Sequence, residues 1–166
     1  MAEKNKKALV IGIGNILLRD EGLGVRAVEF FKEHYILPGG VDCVDGGTAG
    51  LSLSTFFRDY RRVIIVDAVS SGGPPGSILK FGKDDLAKAP PLRTTAHQLG
   101  IKELLAIAEF EGYSPDIRII GVVPSEISVG FELTPLIKGR LPEIARAMEE
   151  ELATFGIRAR KKKKDA

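Results

Sequence analysis

The feature of the sequence that most constrains its fold is a regular alternation between strand-like and helix-like patterns. Strand-like runs, apolar and rich in β-branched residues, lie at residues 7–13, 41–44, 62–66 and 117–123. Such runs are typical of strands whose two faces are both covered by helices. Because helical patterns separate them, the sequence predicts an α/β fold: a single-domain three-layer sandwich with a twisted, mostly parallel sheet and helices on both faces.

The helical segments are predicted from apolar residues that recur three or four positions apart. The apolar face of the first helix consists of Leu23, Ala27, Phe30 and Phe31. Asp20, just upstream, is a candidate N-cap for that helix. An apolar stripe over residues 141–155 predicts a last helix, and Pro142 is then tolerated only in its first turn.

The length and charge of the chain limit its location and partners. A chain of 166 residues is the size of one domain, and no apolar run approaches the roughly 20 residues of a membrane span. The apolar run near the N-terminus is too short for a secretory signal, so we expect a cytoplasmic protein without a membrane partner. Residues 158–166 are mostly basic, and we expect a disordered tail there, beyond a domain formed by residues 1–157. The rest of the chain has no basic motif, which argues against a nucleic-acid partner.

The sequence lacks the local patterns of several common functional sites. Its one cysteine, Cys43, excludes an intrachain disulfide and a metal site built from cysteines, and we expect it to be a small core residue. Residues 12–17 begin like a dinucleotide-binding loop, but Leu17 occupies the third glycine position. Residues 50–54 resemble a nucleophile elbow, except that Ser54 replaces the final glycine. Paired zinc-binding histidines and a phosphate-binding glycine–lysine motif are absent from the sequence as well.

Four polar residues are expected along one edge of the predicted sheet. Parallel sheets bind ligands beyond the carboxyl ends of their strands. Glu21 follows the first strand, and Asp45 and Asp67 end the next two. His97 is predicted in the first turn of a later helix, where residues 95–98 have the spacing of a capping box. These side chains are able to bind a metal ion or to transfer protons.

Glu21, Asp67 and His97 together offer two carboxylates and an imidazole. Oxygen and nitrogen ligands of this kind suit a borderline divalent metal ion such as nickel, zinc, cobalt or manganese. Each residue also has a structural explanation: Glu21 as support for a helix start, Asp67 as the cap of a turn, and His97 as an ordinary hydrogen-bonding residue. From the residues alone, a metal-binding edge and a purely structural edge both remain open.

Five blocks of the sequence resemble, in order, the blocks of a known family. They comprise residues 12–25, residues 45–50, residues 64–69 with Pro75 and Gly76, residues 95–100, and residues 121–124 with 133–135. In these blocks the chain is similar to the maturation endopeptidases of nickel–iron hydrogenases. The likeness extends from about Leu9 to Leu152, and five blocks in register are far more specific than any one of them.

The resemblance implies a function and a set of site residues. Members of that family remove a short C-terminal extension from the precursor of the hydrogenase large subunit, after nickel has been loaded into it. The family's metal-binding positions fall on Glu21, Asp67 and His97, which are also the expected catalytic residues. The second block implies substrate contacts at Asp45, Gly46, Gly47 and Thr48. Nickel is then expected to arrive with the substrate, without an organic cofactor, and the protein is expected to act as a monomer.

Two other functions are compatible with the same residues. A non-enzymatic module could check or escort the nickel-loaded subunit without cutting it, and a general metallohydrolase could act on small peptides. The mechanism of a peptidase also has two forms. In one, the metal polarises the scissile carbonyl or activates a water molecule; in the other, Glu21 or Asp67 is the general base and the metal only positions the substrate.

Overall fold

Strands and helices alternate along the chain in the computed structural model, which describes residues 8–48, 53–86, 88 and 101–164. The strands are β1 (Ala8–Ile13), β2 (Tyr35–Ile36), β3 (Val41–Gly47), β4 (Arg62–Ala68), β5 (Ile78–Gly82), β6 (Asp116–Val122) and β7 (Arg160–Lys161). The helices are α1 (Leu23–His34), α2 (Leu53–Asp59), α3 (Ile101–Phe110) and α4 (Pro135–Thr154), with 3-10 turns at Arg19–Gly22 and Lys83–Asp85. No helix within these ranges is both long enough and apolar enough to cross a membrane.

Five of the strands form the central sheet, in the spatial order β3-β1-β4-β6-β5. Strands β1, β3, β4 and β6 are parallel, and β5 pairs antiparallel with β6 at one edge. Parallel neighbours need crossover connections; α1 connects β1 to β3, α2 connects β3 to β4, and α3 precedes β6. The predicted α/β fold with a mostly parallel sheet is confirmed.

Helices cover both faces of this sheet, and successive strand residues alternate between the two faces. Ala8 and Val10 of β1 pack in one core with α1 and α4, whereas Leu9 and Ile11 pack in a second core with α2 and α3. All four side chains are fully buried. The continuous apolar runs of the sequence are therefore explained by helices on both sides, and the predicted three-layer arrangement is confirmed.

The start of α1 lies very close to the backbone of β1 and β4. A Cβ atom on Gly24 would be 2.2 Å from the carbonyl oxygen of Val66 and 2.4 Å from that of Ile13. Because these are backbone atoms of buried strands, only glycine fits at this position. The close contact holds the 3-10 turn Arg19–Gly22 at the carboxyl end of the sheet.

The starts of two helices differ from the sequence-based predictions. The N-cap of α1 is Gly22 and not Asp20, because the 3-10 turn intervenes and the carboxyl group of Asp20 bonds elsewhere. Helix α4 begins at Pro135, so Pro142 lies inside the helix and not in its first turn. Pro135 occupies the first helical position, which favours proline, and the buried side chain of Ile137 extends the apolar face toward the N-terminus.

The described part of the basic C-terminal segment forms regular structure, in contrast to the predicted disordered tail. Arg160 and Lys161 form β7, which pairs antiparallel with β2. The N–H of Lys162 donates a hydrogen bond to the carbonyl oxygen of His34 at 2.8 Å. Ala159 is only 3% exposed and belongs to the core that contains α1 and α4. This mostly basic segment therefore contains one apolar residue, Ala159, that packs in the core and anchors the segment to the domain.

Cys43 lies in β3, half-buried against the core on the α1 side of the sheet. Burial raises the pKa of its thiol to about 12, although the charge of Lys32 acts in the opposite direction. A thiol with so high a pKa is almost entirely protonated at neutral pH and is a poor nucleophile. This environment agrees with the prediction of a packing role.

Candidate active site

Three of the predicted site residues lie at one edge of the sheet, where the carboxyl ends of β1, β3, β4 and β6 meet. Glu21 lies in the 3-10 turn that follows β1. Asp45 and Asp67 lie near the ends of β3 and β4, the two strands that flank β1. Gly12 of β1 is in register with Asp45 on one side and with Val66 on the other. The topology thus places the three carboxyl groups around the end of β1.

Asp67 is fully buried, and only one of its oxygen atoms has a hydrogen-bond partner in the described part of the chain. Its Oδ1 atom accepts a hydrogen bond from the N–H of Ala68 at 2.8 Å. Its Oδ2 atom is buried and has no hydrogen-bond partner among the described residues. Buried polar groups without a partner are rare in folded proteins because each costs about 1–3 kcal/mol. Because no partner for this oxygen lies in the described part of the chain, and the oxygen lies at the ligand-binding edge of a parallel sheet, it is a candidate binding group.

The environment of Asp67 strongly favours its neutral form. Burial raises the pKa of this carboxyl group well above its ordinary value, because the charged form loses its hydration. The Ala68 N–H acts in the opposite direction, and the negative charge of Glu21 raises the pKa further. The influence of Glu21 on Asp67 also shows that the two carboxyl groups are close enough to interact. A carboxyl group held neutral by burial beside a second carboxyl group is a common arrangement in hydrolytic sites.

Glu21 is held in place by backbone contacts on two sides. Its N–H donates to the carbonyl oxygen of Leu18 at 3.1 Å, which closes the 3-10 turn. On the other side, a Cβ atom on Gly14 would lie 2.0 Å from the carbonyl oxygen of Glu21. Glycine at position 14 therefore allows the turn to pack directly on the chain leaving β1. Glu21 is 7% exposed, so it remains in limited contact with solvent.

Residues 25–151 match the family model described as hydrogenase maturation protease. The chain belongs to this family. It is 36% identical over 151 residues to the Hydrogenase 2 maturation protease of Escherichia coli K12, covering 90% of each protein. It is also 38% identical over 157 residues to the hydrogenase expression/formation protein HupD of Thiocapsa roseopersicina, covering 93% of this chain and 71% of that protein.

Solved structures share the fold of this maturation protease. The hydrogenase maturating endopeptidase HybD from E. coli superposes with a TM-score of 0.85 at 33% identity, covering 94% of this chain and 98% of that one. The hydrogenase maturation protease HycI from Thermococcus kodakarensis KOD1 gives a TM-score of 0.68 at 25% identity, covering 89% and 93%. Because the relatives are proteases and endopeptidases, the protein is an enzyme of the peptidase class, as predicted.

The block expected to contact substrate in this protease lies on the same edge as Glu21 and Asp67. Asp45 is exposed, and its Oδ1 atom accepts a hydrogen bond from the N–H of Gly47 at 2.7 Å. The carbonyl oxygen of Gly47 in turn accepts from the N–H of Gly14 at 2.9 Å. Asp45 thus shapes the end of β3 and connects it to the loop that leads to Glu21. Substrate contact by Asp45, Gly46, Gly47 and Thr48 stays a prediction.

The third predicted metal ligand, His97, lies outside the described residues. Within residues 8–48, 53–86, 88 and 101–164, no group of three or more His, Cys, Asp and Glu side chains is placed to hold a metal ion. The structure therefore brings together two of the three predicted ligands, Glu21 and Asp67. A complete ligand set requires a group from elsewhere, and His97 and the substrate are the two sources expected from the sequence.

Asp20 is a buried residue of this edge whose role was not predicted correctly. Its side chain is fully buried, and its carboxyl group accepts four hydrogen bonds from Ser125, Glu126 and Thr134. These partners are more than one hundred positions away in sequence. The only local signal is an acidic residue directly before Glu21, which is equally typical of a helix cap.

Proposed function

We propose that this maturation protease removes the C-terminal extension of a nickel–iron hydrogenase large-subunit precursor, and that it recognises nickel already bound to that precursor. Glu21, Asp67 and His97 are the proposed contacts to that nickel. The observation that carries the proposal is the buried, unsatisfied Oδ2 atom of Asp67 next to Glu21. The relatives' names support a protease that acts in hydrogenase maturation.

A divalent metal ion would satisfy both electrostatic features of this pair. It would supply a partner to the Oδ2 atom of Asp67, and it would reduce the repulsion between the two carboxylates when both are ionised. A precursor without nickel would not supply this partner to the Oδ2 atom of Asp67. A difference of about 3 kcal/mol in binding free energy already gives more than a hundredfold discrimination between loaded and unloaded precursor.

Full burial of Asp67 adds a condition to this recognition. A metal ion on a separate protein reaches the carboxyl group only after the atoms that cover it have moved. Docking of the precursor therefore includes a local opening of the edge and the release of the proton that the neutral acid holds. Both steps cost free energy. Tight binding therefore requires a substrate whose metal ion interacts strongly with the Asp67 carboxylate.

Cleavage needs a water molecule that loses a proton as its oxygen attacks the scissile carbonyl, and the leaving amine gains a proton as the C–N bond breaks. Glu21 is the better-placed general base, because it retains some exposure whereas Asp67 has none. Asp67 then only binds the nickel, whereas Glu21 contacts the nickel and also accepts the proton from the water molecule. Nickel on the substrate either only positions the precursor or also polarises the scissile carbonyl.

The decisive experiment is intact-mass spectrometry of a cognate precursor, with and without nickel, after incubation with the protein. We expect nickel-dependent loss of a short C-terminal peptide with the unmodified protein and little loss with Asp67→Asn, Glu21→Gln or His97→Ala. The matched control is Asp59→Asn, which makes the same chemical change in an exposed residue at the end of α2. It should cleave normally.

The outcomes separate the candidate functions. No mass change with a verified nickel-loaded precursor would overturn the cleavage proposal and favour an escort protein that binds without cutting. Cleavage of unrelated small peptides would favour a general metallohydrolase. If nickel-free precursor is cut once it is covalently tethered to the protein, nickel serves to position the substrate; if tethering does not restore cleavage, nickel takes part in the chemistry.

A further inference from the structure

The carboxyl group of Asp20 is the centre of a buried hydrogen-bond cluster beside the proposed site. Its Oδ2 atom accepts from the N–H groups of Ser125 and Glu126, each at 2.9 Å, and from the hydroxyl group of Thr134 at 2.8 Å. Its Oδ1 atom accepts from the N–H of Thr134 at 2.8 Å. Both oxygens thus accept from neutral donors, and three of the four donors are backbone N–H groups.

Further backbone hydrogen bonds join the same two segments. The N–H of Arg19 donates to the carbonyl oxygen of Gly130 at 2.9 Å, and the N–H of Gly130 donates to that of Leu17 at 2.9 Å. Arg19 has a φ angle of 48°, in the left-handed region that non-glycine residues rarely adopt. Such strain persists where the surrounding contacts hold it, and it often marks functional sites. The loop between β6 and α4 therefore holds the turn after β1 in a defined and strained shape.

The side chain of Thr134 belongs to this cluster and does not cap helix α4. Thr134 is the N-cap residue of α4, but its side chain makes no capping hydrogen bond to the helix. Its hydroxyl group donates to Asp20 instead. The side chain of a threonine N-cap normally accepts a hydrogen bond from a backbone N–H of the first turn and so stabilises the helix. The hydroxyl group is thus used to connect the two loops.

Glu21 directly follows Asp20, and its backbone lies between two fixed points. The hydrogen bonds of Asp20 hold one side, and the close contact with Gly14 limits movement on the other. The turn that contains both residues also packs against β4, the strand that carries Asp67. The position of Glu21 relative to Asp67 therefore depends on the Asp20 cluster.

We infer that Asp20 is a positioning residue of the active site: by binding the β6–α4 loop, it holds Glu21 at the place where Glu21 acts together with Asp67. This inference rests on the function proposed above. It assigns to Asp20 no contact with substrate or metal. A variant without the Asp20 carboxylate should therefore bind the precursor normally but cleave it slowly. Catalytic groups displaced by about 1 Å lose on the order of a hundredfold in rate.

The test compares steady-state cleavage of nickel-loaded precursor by Asp20→Asn and by the unmodified protein, at a temperature where both are folded. In Asp20→Asn, one oxygen becomes an NH₂ group that faces a hydrogen-bond donor. We expect kcat to fall by about a hundredfold with KM changed less than about threefold. Unchanged kcat in a folded Asp20→Asn protein would overturn the inference, and so would a change confined to thermal stability.

A matched pair of variants at Thr134 keeps the test decisive if Asp20→Asn does not fold. Thr134→Val removes the hydroxyl group at nearly constant volume, whereas Thr134→Ser retains it. We expect kcat to fall on the order of tenfold in Thr134→Val and to remain near normal in Thr134→Ser. Equal kcat in the two variants would contradict a positioning role for the cluster.

Amide hydrogen exchange tests the geometry without depending on cleavage. In Asp20→Asn, or in Thr134→Val if the former is unfolded, exchange at the Glu21 amide should become faster while amides in β1 and β4 keep their protection. Unchanged exchange at Glu21 would overturn the inference. If the unmodified protein does not cleave any verified precursor, the proposed function fails, and the exchange data still decide whether Asp20 positions Glu21.

Discussion

Burial and the charge of Glu21 both raise the pKa of Asp67, although the two residues belong to different segments of the chain. One lies in a turn after β1 and the other near the end of β4, and the parallel sheet brings them to the same edge. The larger cause of the raised pKa is the complete burial of Asp67. A buried carboxyl group that is costly to ionise, with one oxygen unpartnered within the described residues, is suited to a cationic ligand.

The first prediction concerns the stability of the metal-free protein. Because the pKa of Asp67 is higher in the folded state than in the unfolded state, its contribution to stability is most favourable below about pH 4 and is lost as the pH rises toward the folded-state value. Asparagine cannot ionise. Asp67→Asn should therefore be more stable than the unmodified protein at pH 8, with the difference shrinking toward pH 4.

Urea unfolding between pH 4 and pH 8 in the presence of a chelator measures this difference directly. Asp59→Asn provides the control, because the same substitution at an exposed residue should give a small difference that does not vary in this way with pH. A stability difference for Asp67→Asn that is independent of pH would contradict the raised pKa.

The second prediction isolates the contribution of Glu21. Glu21→Gln removes a negative charge near Asp67, so the pKa of Asp67 should fall while remaining above the ordinary aspartate value, because burial is the larger cause. Carbon-13 NMR of the labelled aspartate carboxyl groups, titrated without metal, would measure the shift. A pKa of Asp67 that does not change in Glu21→Gln would show that the two side chains do not interact.

The sequence was sufficient to predict the sheet, its covering helices and the edge at which Glu21 and Asp67 lie. These features depend on local patterns: apolar runs for β1 and β4, and the positions of Glu21 and Asp67 directly after them. Parallel strands then bring such residues to a common edge whatever their separation in sequence. The apolar runs of the sequence thus agree with the strands of the observed sheet, as expected of a chain with a well-defined fold.

The role of Asp20 could not be predicted, because it depends on contacts between distant segments. Its acceptor atoms are used by residues 125, 126 and 134, and no periodicity in the sequence indicates that pairing. The C-terminal segment was predicted incorrectly for a related reason. Its composition is dominated by charge, and the burial of Ala159 depends on a surface formed by other elements.

The third prediction tests the close approach of α1 to the sheet. Gly24→Ala places a Cβ atom 2.2 Å from the carbonyl oxygen of Val66, and neither backbone is able to move without disrupting the core. We expect a loss of about 3 kcal/mol or more in the free energy of unfolding, measured in urea. The control is Gly139→Ala in α4, where nothing lies within 4 Å of the new atom. It should be neutral or stabilising by up to about 1 kcal/mol.

The fourth prediction concerns the anchoring of the C-terminal segment. Ile157 is 5% exposed and packs in the core shared by α1 and α4, whereas the neighbouring Arg158 is exposed. Ile157→Ala should destabilise the protein by about 2–4 kcal/mol, because it removes buried methyl groups and leaves a cavity. Arg158→Ala should change the stability by less than about 0.5 kcal/mol. If both substitutions have equally small effects in thermal unfolding, the chain leading into the basic segment 158–166 does not pack on the domain in solution.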